Sequence, residues 1–417
     1  MRLAPGTPLT VALAFDPSAT VPAARVAMDA GLAQLEWSKE VIDQKLAISP
    51  LYYLPDVGLH AARGKSFEGL HGFLADSLPE GWGELLMRKR LAKLNVDITT
   101  LNALERLALV GNQGRGALVF APATTPPEDV KTLDLDALAD EATALLAGSE
   151  SELADTLAGL GGGSGGGRPK VHVGFDGQGN ISVGDGEVAA GHKAWLVKFR
   201  APNDHADIGP IEEAYANMAE AAGLIMSEHR LIKAKKGPGY FAARRFDRPD
   251  AGGRLHMVSL AGALEARPDM PSANYDLFLR ATRAITRRAD DVTAAYQRMV
   301  FNVLACNRDD HTRQHAYLMG PDGDWRLAPA YDLTYAPGPG GEHYMDIEGE
   351  GRRPTRVQVT TLGKKHGLNA DRVAEVVDKV RAAVAAWPKF AKAAGVTAAS
   401  AKEAGDAHVR VWKDFEA

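Results

Sequence analysis

Two periodicities organise the apolar positions of this 417-residue chain. Alternation, or a short unbroken apolar run, marks a strand; recurrence about every three to four positions marks a helix. By this measure residues 9–15 form a strand, and residues 107–120 close on the apolar run ALVF. Between them Phe67, Leu70, Phe73 and Leu74 recur at helical spacing, and Leu85, Leu86, Leu91 and Leu94 do so again. The Pro79-Glu80-Gly81 corner separates these two helices. A Pro-rich junction, ATTPPED at 123–129, leads into an acidic, alanine-rich helical stretch that runs to about Ala158. Four strand candidates follow, 170–175, 194–199, 229–233 and 240–246, with one helix, 211–223, among them. From about Ser272 the pattern is mostly helical, including 275–287 and 291–305. Residues 370–387 place Val373, Val376, Val377, Val380 and Val384 on one face of an amphipathic helix. There is no internal repeat.

These elements divide the chain into three parts. Residues 1–128 form a small α+β module, and 129–271 gather strands around a single helix, as in a nucleotide-binding small lobe of the protein-kinase kind. Residues 272–417 form a mainly helical large lobe. The expected fold is therefore α+β and bilobal, with an added N-terminal subdomain. With 45% hydrophobic and 24% charged residues the composition is that of an ordinary globular protein able to bury a sizeable core. A net charge of -5 carries no global sign of a nucleic-acid binder, although a sum does not exclude a local basic patch. The single cysteine, Cys306, cannot form an internal disulfide and fits a reducing compartment. It closes an apolar helix and reads as a small buried hydrophobe. No stretch approaches roughly 20 uninterrupted apolar residues, and the first apolar run reads as a strand rather than a signal peptide. A soluble, cytoplasmic protein without membrane contact is expected.

The densest chemistry lies in residues 306–336, CNRDDHTRQHAYLMGPDGDWRLAPAYDLTYA. A helix ends near Cys306, and a polar loop carries Asp309, Asp310, His311 and Gln314. A strand, a Gly-Pro-Asp-Gly turn and a second strand lead to Tyr331-Asp332. Such a hairpin holds two acidic positions at the mouth of a cleft. Phosphoryl transfer uses that arrangement: one carboxylate orients a hydroxyl and accepts its proton, and the other holds the metal on the phosphates. Taken singly, these residues are also a polar turn and a helix-capping Asp332.

A second cluster begins at the glycine run 161–167, interrupted only by Ser164 and followed by Arg168-Pro169-Lys170 and the strand VHVGF. One reading is a flexible linker. The other is a phosphate cradle, in which free backbone N–H groups of Gly165, Gly166 and Gly167 sit beside Lys170; the adjoining basic residues and strand favour it. Lys198 ends the strand AWLVK, either solvated or placed to grip phosphates. Glu212 lies on a helix face with Tyr215 and Ala219, where it either pairs with Lys198 as kinases require or stays a solvated acid near a helix N-terminus. His311 and His315 lack the Glu of a zinc-binding HExxH helix. The run from Gly162 to Gly166 has no apolar strand before it, as a nucleophile elbow would need.

DDHTRQH followed by WRLAPAYDL resembles the catalytic and metal-binding segments of HipA-family kinases, and the glycine run with its Arg-Pro-Lys ending resembles that family's glycine-rich loop. LADSLPEGWGELLMRKRL and ALVGNQGRGALVF resemble its N-terminal subdomain, so the likeness spans nearly the whole chain. The resemblance implies an ATP- and magnesium-dependent serine/threonine protein kinase acting as the toxin of a toxin–antitoxin pair. Asp309 is then the catalytic base, His311 a brace for its loop, and Asp332 a magnesium ligand. Gln314 stands where the family usually carries an asparagine that helps hold metal, which shifts the amide by one methylene. Ser164 is the implied autophosphorylation site. The implied partners are a helix-turn-helix antitoxin of HipB type, through which alone DNA is contacted, and a protein substrate such as a translation factor or an aminoacyl-tRNA synthetase. The run Phe246-Asp247-Arg248 matches a family segment and reads as structural, with the adenine-contacting stretch close by. The N-terminal module is expected to pack against the small lobe and to offer an antitoxin surface. Trp82, Met87 and Arg88-Lys89-Arg90 are either partner-facing or part of a solvated helix face. Two other readings stand beside this one: a small-molecule kinase of the same fold, and a catalytically weak regulator that binds antitoxin and DNA.

Overall fold

A computed structural model describes residues 3, 7–124, 134–149, 153–161, 163, 165–183, 188–250 and 252–417. The first module is built on β1 (Leu9–Leu13), β2 (Val21–Asp29), β3 (Leu32–Trp37), α1 (Lys39–Gln44), β4 (Leu59–Ala61), α2 (Gly72–Ala75), α3 (Trp82–Lys93), α4 (Ala103–Val110) and β5 (Leu118–Ala121). Its antiparallel sheet has the order β4-β3-β2-β1-β5. Leu9, Val11 and Leu13 alternate into the core while Thr10 faces out. Ala30 and Gly31, both at positive φ, turn β2 back onto β3 in a two-residue hairpin loop whose twist suits the strands. The helix expected across 67–74 is cut to the single turn of α2. Glu68 and Gly69 take positive φ and place a turn where the apolar spacing alone called for helix.

The acidic stretch expected as one helical run is two helices, α5 (Leu135–Leu146) and α6 (Ala154–Gly161). They cover a second antiparallel sheet made of β6 (Lys170–Phe175), β7 (Ile181–Val183), β8 (Lys193–Lys198), β9 (His229–Ile232) and β10 (Tyr240–Arg244), in the order β7-β6-β8-β10-β9. Between β8 and β9 runs α7 (Ile208–Ala221). One face of this sheet is apolar: Val171, Val173, Trp195 and Val197 pack with Leu138, Leu145 and Leu157 of the covering helices and with Trp82 and Leu86 of α3.

The large lobe starts with β11 (His256–Ser259), α8 (Leu260–Leu264), α9 (Tyr275–Thr286) and α10 (Ala289–Leu304). Next come β12 (Ala316–Met319) and β13 (Trp325–Leu327), which with β11 form a three-stranded sheet, order β11-β12-β13. The helices α11 (Arg356–Lys365), α12 (Ala370–Ala385), α13 (Trp387–Ala394) and α14 (Ala398–Phe415) close the lobe. All five valines of the amphipathic face of α12 are buried. The first module meets the small lobe, as expected, through Trp82 and Leu86, and it also shares one continuous core with the large lobe. Phe73 and Leu74 of the module belong to the same buried cluster as Leu260, Phe278 and Tyr317. Among the described residues no helix is long and apolar enough to cross a membrane.

Candidate active site

The geometry of the cleft starts with a strand register. On β6 and β8, Lys170 stands directly opposite Lys198, and His172 opposite Leu196. Because side chains alternate along a strand, sending the valines and Trp195 into the core turns both lysines to the other face. Two like charges side by side on a sheet are destabilising unless something negative answers them. Here acids do. Lys198 Nζ lies 2.8 Å from Glu212 Oε2 on α7 and also contacts Asp332 Oδ1. Glu212 is only 2% exposed, set among Ile211, Tyr215 and Ala219 on the inner face of its helix. Arg168, just past the glycine run, donates from Nη1 to Glu212 Oε1 at 2.7 Å and from Nε to Asp204 at 3.1 Å. Lys170 Nζ donates to the carbonyl of Gly165 at 2.5 Å, tying the glycine loop to its own strand. Burial lowers the Lys170 pKa to about 8, against the pull of Asp332. Lys198 is also desolvated, but Asp332 and Glu212 outweigh this and hold its pKa above the usual lysine value.

The opposite wall is the loop after α10. Its two consecutive aspartates part company. Asp309 faces the cleft, half exposed, with His311 Nε2 at 3.9 Å. Asp310 is fully buried and accepts from Tyr275 Oη at 2.7 Å, His343 Nδ1 at 2.8 Å and the Tyr344 amide at 2.8 Å. It is therefore the anchor that pins the loop to α9 and to the segment after Asp332. Burial raises the Asp309 pKa; His311 opposes the rise and Asp332 adds to it. His311 caps the short 3-10 helix Thr312–Gln314, its Nδ1 accepting from the Arg313 amide at 3.3 Å. Gln314 Nε2 donates to Asp332 Oδ2 at 3.0 Å. Asp332 itself sits at φ +57, a backbone state that Asp tolerates better than most residues. Its burial favours the neutral acid, yet Lys198, Lys170 and Arg168 overcome this and hold the carboxyl well below the usual range.

Between these walls lies a cleft of about 440 Å³. One end is charged, with Gly165, Gly166, both lysines, Asp309, Gln314 and Asp332. The other is apolar, with Leu196, Met226, Phe241 and Ala330, and is bounded by the backbone run 244–247 that joins the lobes. Asp247 of that run is buried between Arg245 (2.8 Å), Arg248 (2.7 Å) and the Gly116 amide (2.8 Å), a structural junction with the first module. Ser164 lies outside the described residues.

No catalytic spacing is legible in the first module, yet that module reaches the cleft. The Trp82 amide donates to the carbonyl of Gly166 at 3.0 Å, and its indole Nε1 donates to the carbonyl of Lys170 at 3.0 Å. Trp82 and Met87 are buried, so neither faces a partner; Arg88 of the same helix is exposed. Glu80 lines the cleft and pairs with Arg313 of the catalytic-side loop. The one signal for these contacts was the Pro79-Glu80-Gly81 corner, legible only as a break between helices.

The sequence matches the HipA-like C-terminal domain over residues 162–387 and the HipA N-terminal domain over residues 19–121. No curated protein matches it. Among solved structures it is similar to a chain of the Shewanella oneidensis MR-1 toxin–antitoxin complex of HipA, HipB and operator DNA. That likeness has 17% identity over 97% of this chain and 96% of that one, with a TM-score of 0.69, which is a shared fold. A likeness to the Helicobacter pylori proinflammatory kinase CtkA, at 12% identity, covers 49% of this chain and 89% of that one with a TM-score of 0.31, and nothing below rests on it.

Proposed function

The chain belongs to the HipA family, and from that footing we propose that it is an ATP- and magnesium-dependent serine/threonine protein kinase, the toxin of a toxin–antitoxin pair. The observation that carries the reading is the opposed pair Lys170 and Lys198, turned into a cleft where Glu212 and Asp332 answer them. Two buried ammonium groups at facing strand positions, beside a glycine loop, suit a polyphosphate better than any neutral ligand. The apolar end of the cleft suits a base, against the backbone that joins the lobes.

In this reading Lys198 keeps Glu212 and exchanges its contact with Asp332 for phosphate oxygens. The donor set fits magnesium: Asp332 is held ionised, and Gln314 offers an amide whose half-turn presents Oε1 in place of Nε2. Asp332 and Gln314 would hold the ion, which when bound neutralises charge on the phosphates. Asp309 accepts a hydrogen bond from the substrate hydroxyl. As that oxygen bonds to the γ-phosphorus and the bond to the β-phosphate oxygen breaks, Asp309 takes the hydroxyl proton and ADP departs. Lys170, Lys198 and Arg168 meet the charge that develops. The protein substrate is proposed to be a component of translation such as an aminoacyl-tRNA synthetase, with Ser164 as autophosphorylation site. A HipB-type antitoxin would carry the DNA contact, and the cytoplasm would be the site of action.

The test is incubation with γ-labelled ATP and magnesium. Labelled wild-type protein, with no label in Asp309→Asn or Asp332→Asn, is expected. Folded, unphosphorylated wild type that takes no label and passes none to protein would sink the proposal.

A further inference from the structure

Resting on that reading of the cleft, we propose that Arg313 is a further catalytic residue, a cation that contacts the γ-phosphoryl group and is held in reserve by Glu80 of the first module. Arg313 is close to nine-tenths buried, with its side chain 10% exposed, and it lines the cleft. Its one ion-pair partner among the described residues is Glu80, and its Nε has no hydrogen-bond partner there. A guanidinium withdrawn from water with an unanswered N–H is costly. An anionic ligand in the cleft relieves that cost.

Placement makes the γ-phosphoryl group the ligand. The backbone of Arg313 is fixed on both sides, its amide donating to His311 Nδ1 at 3.3 Å and its carbonyl accepting from Tyr331 Oη at 2.5 Å. Next in sequence is Gln314, bonded to Asp332. Arg313 therefore stands on the wall that carries the base and the metal-binding acid, opposite Lys170, Lys198 and Arg168. Glu80 immediately precedes Gly81 and Trp82, which grip the glycine loop at Gly166. The Glu80–Arg313 pair thus lies where the glycine loop and the catalytic-side loop approach each other, at the outer end of a phosphate chain laid along the lysines. A loose phosphoryl transition state spreads charge over three equatorial oxygens, and a planar guanidinium can serve two of them at once. On nucleotide binding Arg313 turns from one anion, Glu80, to another. No proton moves.

The experiment is calorimetric titration of the full chain, with magnesium constant, using ADP and the β,γ-imido analogue of ATP. If Arg313 meets the γ-phosphoryl group, Arg313→Ala weakens the analogue by roughly ten- to a hundredfold, the worth of a hydrogen bond to a charged group, and leaves ADP within about twofold. Arg313→Lys keeps most of the preference for the analogue, and serves as the second variant should the alanine form melt early. Glu80→Gln removes the competing anion and tightens the analogue a few-fold. The alternative is a mere tie between module and loop. In that case Arg313→Ala and Glu80→Gln weaken both nucleotides alike, and the inference is overturned. Wild type that binds neither nucleotide removes the reading of the cleft itself, and the inference with it.

Discussion

Replacing Gly81 by alanine tests whether the first module sets the position of the glycine loop. Gly81 has φ 49 and ψ -102, outside the regions open to residues with a side chain. A Cβ there would stand 2.8 Å from the Gly166 carbonyl oxygen, 2.8 Å from Gly167 Cα and 3.0 Å from the Gly166 carbonyl carbon. Such contacts fall short of an ordinary approach by about half an ångström, so something must give. Trp82, next in the chain, is 1% exposed and packed in the core with Leu138, Leu157 and Val171, whereas Gly166 and Gly167 are exposed. The loop is what moves. Moving it breaks the Trp82–Gly166 hydrogen bond, worth about 1 kcal/mol, and the forced backbone adds about 1–3 kcal/mol of strain shared between fold and loop. A displacement of this order at phosphate-holding groups costs roughly ten- to a hundredfold in rate. Initial rates of γ-label transfer at varied ATP, beside a thermal melt, separate the two effects. The expected result is a raised KM for ATP and a lowered kcat in a protein that still unfolds cooperatively. A variant with wild-type kinetics would refute the argument, whether or not its melting point falls, because the loop would then not depend on the brace.

Further outcomes follow from the same geometry. Asp310→Asn replaces a fully buried carboxylate that accepts three hydrogen bonds, so it should lower stability by about 3–5 kcal/mol in chemical denaturation. Asp309→Asn, at a half-exposed position, should leave stability within about 0.5 kcal/mol. The Lys170 pKa, lowered to about 8 from 10.5, makes the unfolded chain bind more protons than the folded one between those values, so this residue's contribution favours folding more as pH rises through the window. Nucleotide affinity should run the other way, falling above about pH 8 as the ammonium is lost. Lys170→Gln should flatten that fall in titrations from about pH 6.5 to 9.5.

The strands of the middle region were legible because β-branched and aromatic residues stand at every second position from Val171 to Phe175 and from Trp195 to Phe199. The same alternation, once strand pairing is granted, places Lys170 and Lys198 on the other face. The strands β2 to β4 were missed. In β2 the consecutive residues Ala23 and Ala24 are both buried, where the ladder to β1 slips between Val11 and Ala12, and that irregularity erases period two. In β3 the inward set is Ala33, Leu35 and Trp37, a pattern too short and too diluted by alanine to register. The fate of Asp310 was equally hidden. Its partners Tyr275, His343 and Tyr344 lie 33 to 35 residues away on either side, and no local spacing reports such a meeting. Pairings across the cleft were half legible: a Lys198–Glu212 pair was one of the two readings open to the sequence and is the one the structure has, whereas Arg168 as a second partner of Glu212 was not foreseen.

What local pattern concealed most thoroughly is that the first module touches the cleft in three places. Gly81 and Trp82 meet the glycine loop, Glu80 meets Arg313 beside the proposed base and metal site, and the carbonyls of Gly114 and Gly116 receive Arg248 at the junction of the lobes. An appended domain joined by a small polar interface is free to rock. This one is not, because its core runs without interruption into the large lobe through Phe73, Leu74 and Leu260. Coupling between two sites requires an element whose state both of them bias. The corner from Glu80 to Trp82 qualifies, since it begins α3, whose Arg88 is exposed. A partner that bound α3 and drew the corner outward would release the glycine loop and free Glu80 from Arg313 in one motion. It would alter nucleotide affinity without entering the cleft, and binding of nucleotide would in return alter the partner's affinity by the same factor.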